Sequence, residues 1–273
     1  MAIIFSDNFN SGNFNAWTDA FVNNSLLSGT GCNGSLCLSC GSNLSRGIRN
    51  VFPTLQINNT FRFNFAYLAK GLTPTIAYLI RLSDDGGFGH MHSEIYVNPD
   101  GSVRIHSFPQ IVDSAPRLIP TNGTWMAVQL TVHQYQNSAG SGRINNVADF
   151  QLIVNNVVKM TSIGHVISGF NYTSDPLPLG WQGIEIIAYR EAHPLNYTLV
   201  AMDNFEIEDS VSVIPYLPCD GSVTLYEDMC GNPPVPKPTS GLYFINSAKT
   251  HDIYYNMEKK IPDPTIKTGG IGE

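Results

Sequence analysis

Charge is what this chain has least of. Only 14% of its 273 residues are Asp, Glu, Lys or Arg, against roughly a quarter in a typical soluble domain. The 15 Lys and Arg form no basic block, and the formal net charge is −7, so a phosphate-backbone partner such as nucleic acid is excluded. No apolar run approaches the roughly 18 residues of a membrane-spanning helix, and no membrane insertion is expected. The opening Met1-Ala-Ile-Ile-Phe-Ser-Asp7 has neither a basic flank nor a long apolar stretch. It is therefore not expected to be a secretion signal. Amphipathic helical periodicity over twelve or more residues is missing as well.

Cysteine is sparse. Cys32, Cys37 and Cys40 have the C-x4-C-x2-C spacing of a plant-type iron–sulfur loop, but that needs a fourth ligand. The alternating run Gly34-Ser-Leu-Cys-Leu-Ser-Cys-Gly41 reads instead as small apolar residues in a strand. Cys219 and Cys230, in a Pro- and Gly-rich stretch, would close a loop in an oxidising compartment and stay free in a reducing one. Seven N-x-S/T sequons, at Asn23, Asn33, Asn43, Asn58, Asn122, Asn171 and Asn196, follow from an Asn-, Ser- and Thr-rich composition.

What the chain does have is a period of two. Thr60-Phe-Arg-Phe-Asn-Phe-Ala-Tyr67 alternates strictly, and comparable runs cover 75–82, 93–97, 102–106, 125–133, 149–154, 157–160, 183–189 and 199–207. Asn98-Pro-Asp-Gly101 and Asn155-Asn156 are hairpin turns. Strands at this spacing predict an all-β, two-sheet antiparallel sandwich over residues 1–209. The composition changes near residue 210. All eight Arg lie at or before Arg190, whereas five of the seven Lys and eight of the 17 Pro fall late in the chain. Residues 210–240 read as a stiff, Pro-rich linker and 241–273 as an extended tail without a core of its own.

Several residues carry candidate chemistry. On a strand, His90, His92, Glu94 and Tyr96 would share one face. Such a face suits acid–base work, a metal or a glycan, or is the plain polar side of a hairpin with Met91 and Ile95 inside. Trp181, Tyr189 and Tyr96 are candidate sugar-stacking rings; Trp125 and Trp17 read as core. Glu185 and Glu191 share a parity but stand six residues apart, roughly 20 Å along a strand. A retaining glycosidase pair needs about 5–5.5 Å. In the tail, Tyr243, Phe244, Ile245, Tyr254, Tyr255 and Ile261 would anchor a partner.

The opening Phe5-Ser-Asp-Asn-Phe9, its echo Met202-Asp-Asn-Phe-Glu-Ile207, the strand Trp125-Met-Ala-Val-Gln-Leu and Phe150-Gln-Leu-Ile-Val-Asn155 come in a characteristic order. This order resembles the concanavalin A-like lectin/glucanase jelly roll, which includes laminin-G-like modules and family 16-type glucanases. The resemblance implies a first strand paired beside the last and, in related carbohydrate-binding modules, a structural calcium near them. Asp7 and Asp203 would hold that calcium, unless they merely cap turns. It also carries two enzyme precedents that this chain departs from. The glucanase E-x-D-x-x-E strand is broken by Ile187, and the Gln-x-His strand of alginate-lyase-like jelly rolls is missing. The closing Lys260-Ile-Pro-Asp-Pro-Thr-Ile-Lys-Thr-Gly269 is similar to the ends of bacteriophage structural proteins. Together these features predict a non-enzymatic virion or decoration protein, made in a host cytoplasm. It would display a lectin-like sandwich and dock through its tail on other virion proteins or copies of itself. The alternatives are a carbohydrate-binding adhesin for cell-surface or mucosal glycan and a glycan lyase or hydrolase.

Overall fold

In a computed structural model, the described residues are 2–20, 25–27, 31–32, 37–39, 47–72, 74–84, 91–107, 110–139, 143–167, 179–187, 190–193, 196–211, 242–245 and 252–255. They fold almost entirely as strands, with no α-helix among them. These are β1 (Ile3–Asp7), β2 (Asp19–Ala20), β3 (Ser25–Leu27), β4 (Cys37–Ser39), β5 (Ile48–Gln56), β6 (Asn58–Gly71), β7 (Ala77–Ser83), β8 (Met91–Val97) and β9 (Val103–Ser107). They continue as β10 (Gln110–Asp113), β11 (Met126–Ala139), β12 (Arg143–Val154), β13 (Val157–Ile167), β14 (Trp181–Ile186), β15 (Arg190–His193), β16 (Asn196–Glu208), β17 (Leu242–Ile245) and β18 (Asp252–Tyr255). The chain divides into two compact units, Met1–Cys230 and Gly231–Glu273.

The first unit is the expected two-sheet antiparallel sandwich, a jelly-roll-like fold. A nine-stranded sheet runs β13-β12-β11-β6-β16-β4-β3, with β1 and β15 also paired to β16. A seven-stranded sheet runs β10-β9-β8-β7-β14-β5-β2. The strict alternation of β6 buries Phe61, Phe63, Phe65 and Tyr67 completely. They face a core that includes Leu79, Leu82, Ile95, Ile105, Ile184 and Ile186 from the other sheet. Each such aromatic buries about 150–250 Å², which is why the period-two pattern decides the fold. The first and last strands pair as the resemblance implies, with Asp7 opposite Phe205. The Asn155-Asn156 turn takes the left-handed φ values of 48° and 62° that a two-residue type I′ hairpin requires.

In the second unit, β17 and β18 pair antiparallel, with Tyr243 opposite Tyr254 and Leu242 opposite Tyr255. The segments 242–245 and 252–255, expected as parts of an extended tail, are thus two short paired strands. Ile261 lies outside the described residues, as do Cys219 and Cys230.

Candidate functional site

Five polar side chains meet on the outer face of the seven-stranded sheet because register puts them there. Arg49 lies opposite Glu185, Glu185 opposite Arg81, Arg81 opposite Glu94, and Glu94 opposite His106. The result is one row across β5, β14, β7, β8 and β9 in which basic and acidic side chains alternate. Directly opposed unlike charges are the stabilising arrangement on a sheet. Glu185, with its side chain fully buried, is the hub. Its carboxylate takes Arg81 Nη1 at 2.5 Å, Arg49 Nε at 3.3 Å and the Gly47 amide at 2.6 Å. Gly47 has to be glycine, since a Cβ there would stand 1.8 Å from the Ile186 carbonyl oxygen. Arg81 Nε also donates to Glu94 Oε1 at 3.0 Å, and His106 Nδ1 lies 3.5 Å from Glu94 Oε2.

A second row lies beside it: Tyr78 opposite Tyr96, Tyr96 opposite Arg104, and Arg104 opposite Asp113. A bulge between Tyr78 and Ile80 brings Tyr78 onto the same face as Arg81, whose guanidinium lies 5.3 Å from the ring centroid. Arg104 grips Asp113 through two hydrogen bonds of 2.5 and 2.7 Å, approaches the Tyr96 hydroxyl at 3.4 Å, and lies 5.9 Å from that ring. The two rings meet edge to face at 5.6 Å. Arg104 holds the Asp113 carboxyl below the usual range, and burial, then the Glu94 charge, push the Tyr78 hydroxyl up.

The bulge in β8 corrects one expectation. Ser83 pairs with Met91 and Leu82 with Ser93, so His92 is the extra residue. It is turned off the outer face and buried at 1% exposure. Its Nε2 meets Gln134 Oε1 at 3.2 Å and its Nδ1 meets Ser93 Oγ at 3.0 Å. Glu94 and Tyr96 remain on the outer face, Ile95 is buried as expected, and His90 lies outside the described residues. Nearby, Gln134 and His165 flank the small Ala148 on one row of β11, β12 and β13. Gln134 Nε2 and both ring nitrogens of His165 are buried with no hydrogen-bond partner. Burial lowers the pKa of both His92 and His165 to about 4. Each is therefore a neutral imidazole at pH 7.

Trp181 is a second correction. It is not an exposed ring: it is fully buried, with its indole N–H donating to Asn59 Oδ1 at 3.1 Å and its ring packed against Phe52 and Phe61. The strand begins at this residue, so it lies in the ladder and faces inward. Trp125 and Trp17 are core, as read. Glu191 belongs to β15 in the other sheet, so it shares no strand with Glu185. Tyr189 lies outside the described residues.

At the first and last strands, both carboxylates are engaged by the protein itself. Asp7 accepts from the Phe9 amide and Trp17 Nε1, both at 2.7 Å. Asp203 accepts from the Asn204 amide at 2.7 Å and the Cys32 amide at 2.8 Å. Each carboxylate thus accepts at least two hydrogen bonds from the protein, and no group of three or more metal-ligating side chains occurs among the described residues. Cys32 is disulfide-bonded, unlike the small apolar strand residue expected, whereas Cys37 is a buried thiol. Cys40 lies outside the described residues.

No protein-family model and no curated protein matches the chain. Among solved structures it is similar to the alginate lyase Aly36B, at 12% identity and a TM-score of 0.42, over 75% of this chain and 96% of that one. It is also similar to the PL-14 alginate lyase of Aplysia kurodai, at 10% identity and a TM-score of 0.43, over 68% of this chain and 87% of that one. A third is botulinum neurotoxin type C, in a structure on its interaction with two ganglioside molecules, at 11% identity and a TM-score of 0.43. The match covers 77% of this chain and 49% of that one. Likenesses this loose carry neither activity nor ligand across.

Of the residues singled out in the sequence, the structure brings Glu94, Tyr96 and Glu185 together on this face. It adds Arg49, Arg81, Arg104, His106, Tyr78 and Asp113. Part of this was available by counting outward from the Asn98–Gly101 turn, which sets Tyr96 against Arg104 and Glu94 against His106.

Proposed function

We propose that the outer face of the seven-stranded sheet binds a neutral, hydroxyl-rich glycan. The observation that carries this reading is the in-register row Arg49–Glu185–Arg81–Glu94–His106 with Tyr78 and Tyr96 alongside. Each guanidinium and carboxylate in it is held by a neighbour, so donors and acceptors stand in fixed positions before a ligand arrives. Pre-positioning of this kind lowers the ordering cost of binding. Neighbouring hydroxyls on a sugar ring match such planar, two-pronged groups, and the half-buried Tyr78, packed on the largely buried Tyr96, adds an apolar edge. The charges compensate within the row, which leaves little net field for a polyanion and favours an uncharged ligand.

The test is a glycan array probed with the full chain and with Tyr78→Ala and His106→Ala. Binding lost in both variants supports the reading; no glycan bound by the intact chain overturns it. A second reading, turnover of the bound glycan, rests on His106 beside Glu94, a pairing suited to proton transfer. Release of reducing or unsaturated sugar ends, abolished by His106→Ala, would establish it. The virion role and its docking tail draw no support from the fold or from the matched structures.

A further inference from the structure

A different part of the first unit carries cations that no ion pair engages. Five arginines have described side chains, and four of them, Arg49, Arg62, Arg81 and Arg104, are ion-paired. Among the described residues, Arg117 has no such partner, and neither does Lys159. Both line one open cleft of about 520 Å³, together with Asp100, Pro120, Asn155 and Val157. The cleft is formed where the Asn98–Gly101 turn, the loop after β10 and the Asn155-Asn156 turn come together.

Arg117 is also conformationally costly. Its φ is +61°, in the left-handed region that glycine or asparagine occupies far more readily. The loop is fixed there by two backbone bonds, Arg117 N–H to the Asp100 carbonyl at 2.8 Å and Ile119 N–H to the Gly101 carbonyl at 3.0 Å. Ile119 is buried. Gly101 permits the approach, since a Cβ there would lie 2.4 Å from the Ile119 oxygen. A strained residue held from several sides is a pointer to function, and here the strained residue is a cation facing a cleft. Asp100 is the one acid in the lining. Its Oδ1 is taken by the amide and hydroxyl of Ser102, at 2.9 and 2.7 Å, which leaves the cleft with two cations against one carboxylate.

We infer that this cleft binds a saccharide unit bearing a carboxylate or sulfate group. Arg117 offers the two-pronged donor that such groups fit, and Lys159 a second positive charge. Asn155 adds polar atoms for hydroxyls, and Pro120 and the half-exposed Val157 add an apolar wall. The volume lies within the range of small-ligand sites, roughly 300–1,000 Å³. This site is separate from the row on the seven-stranded sheet and does not depend on the reading given to that row.

The experiment is calorimetric titration of the full chain with a chondroitin sulfate tetrasaccharide, its desulfated form, a neutral tetraose and sodium sulfate. Arg117→Gly with Lys159→Gln is titrated in parallel. Glycine relieves the strained backbone, so this variant should melt no lower than the parent. The expected result is binding of one or both acidic tetrasaccharides, weakened tenfold or more in the variant. Retention after desulfation assigns the carboxylate; loss assigns the sulfate. No binding of either acidic sugar, an unchanged affinity in the variant, or equal affinity for sodium sulfate alone overturns the proposal. The neutral tetraose reports on the sheet face only.

Discussion

Two polar clusters lie back to back in this sandwich, and they obey opposite rules. The outer row on the seven-stranded sheet is charged and complementary: every Arg has a carboxylate, and fully buried Glu185 has two guanidiniums and an amide. The cluster between the sheets, His92 with Gln134 and His165, is neutral and incomplete, with three buried nitrogens unpartnered. A single bulge in β8 separates the two, placing Glu94 in the first and His92 in the second. A charge in a sheet is tolerable where register supplies its opposite, whereas an imidazole without one stays neutral.

Removing the hub should break the comparison most severely. Glu185→Ala leaves Arg49, Arg81 and the Gly47 amide facing a void, and should cost about 3–5 kcal/mol, read as a lower denaturant midpoint at unchanged slope. Acid should act on the inner cluster next. The folded-state pKa values of His92 and His165, about 4, lie below the ordinary 6.5. The unfolded chain therefore binds more protons between those limits. Stability is full above pH 6.5 and is lost as pH falls toward 4, by on the order of 3 kcal/mol per imidazole. Melting temperatures across pH 7 to 4 measure it, and a flat profile would contradict it. His165→Leu sharpens the contrast in the other direction. It removes two unpartnered buried nitrogens at similar volume, should stabilise the fold by about 1–2 kcal/mol, and should shallow the acid slope. Arg104→Gln, at the exposed end of the outer face, should change stability by about 0–1 kcal/mol.

The fold was largely legible in the sequence, since the alternating aromatics of β6 and the turns at 98–101 and 155–156 dictate a sandwich. The Asp7 and Asp203 echo marked the pairing of the first and last strands. The site was legible only within its hairpin. Arg49 and Glu185 are 136 residues apart, and no local pattern joins them. Bulges at Leu79 and His92 then reverse the facing that strict alternation predicts, and a bulge leaves no reliable mark in composition. Trp181 was misplaced for a related reason: the Pro- and Gly-rich stretch before it reads as a loop edge, but the strand begins at the tryptophan itself.

The central claim, that the compensated outer row is a glycan surface, is tested most directly by amide chemical-shift mapping of the full chain with neutral oligosaccharides that score on an array. The account predicts shifts confined to β5, β7, β8, β9 and β14, lost in Tyr78→Ala. Shifts centred on the nine-stranded sheet, or none with any neutral glycan, would contradict it.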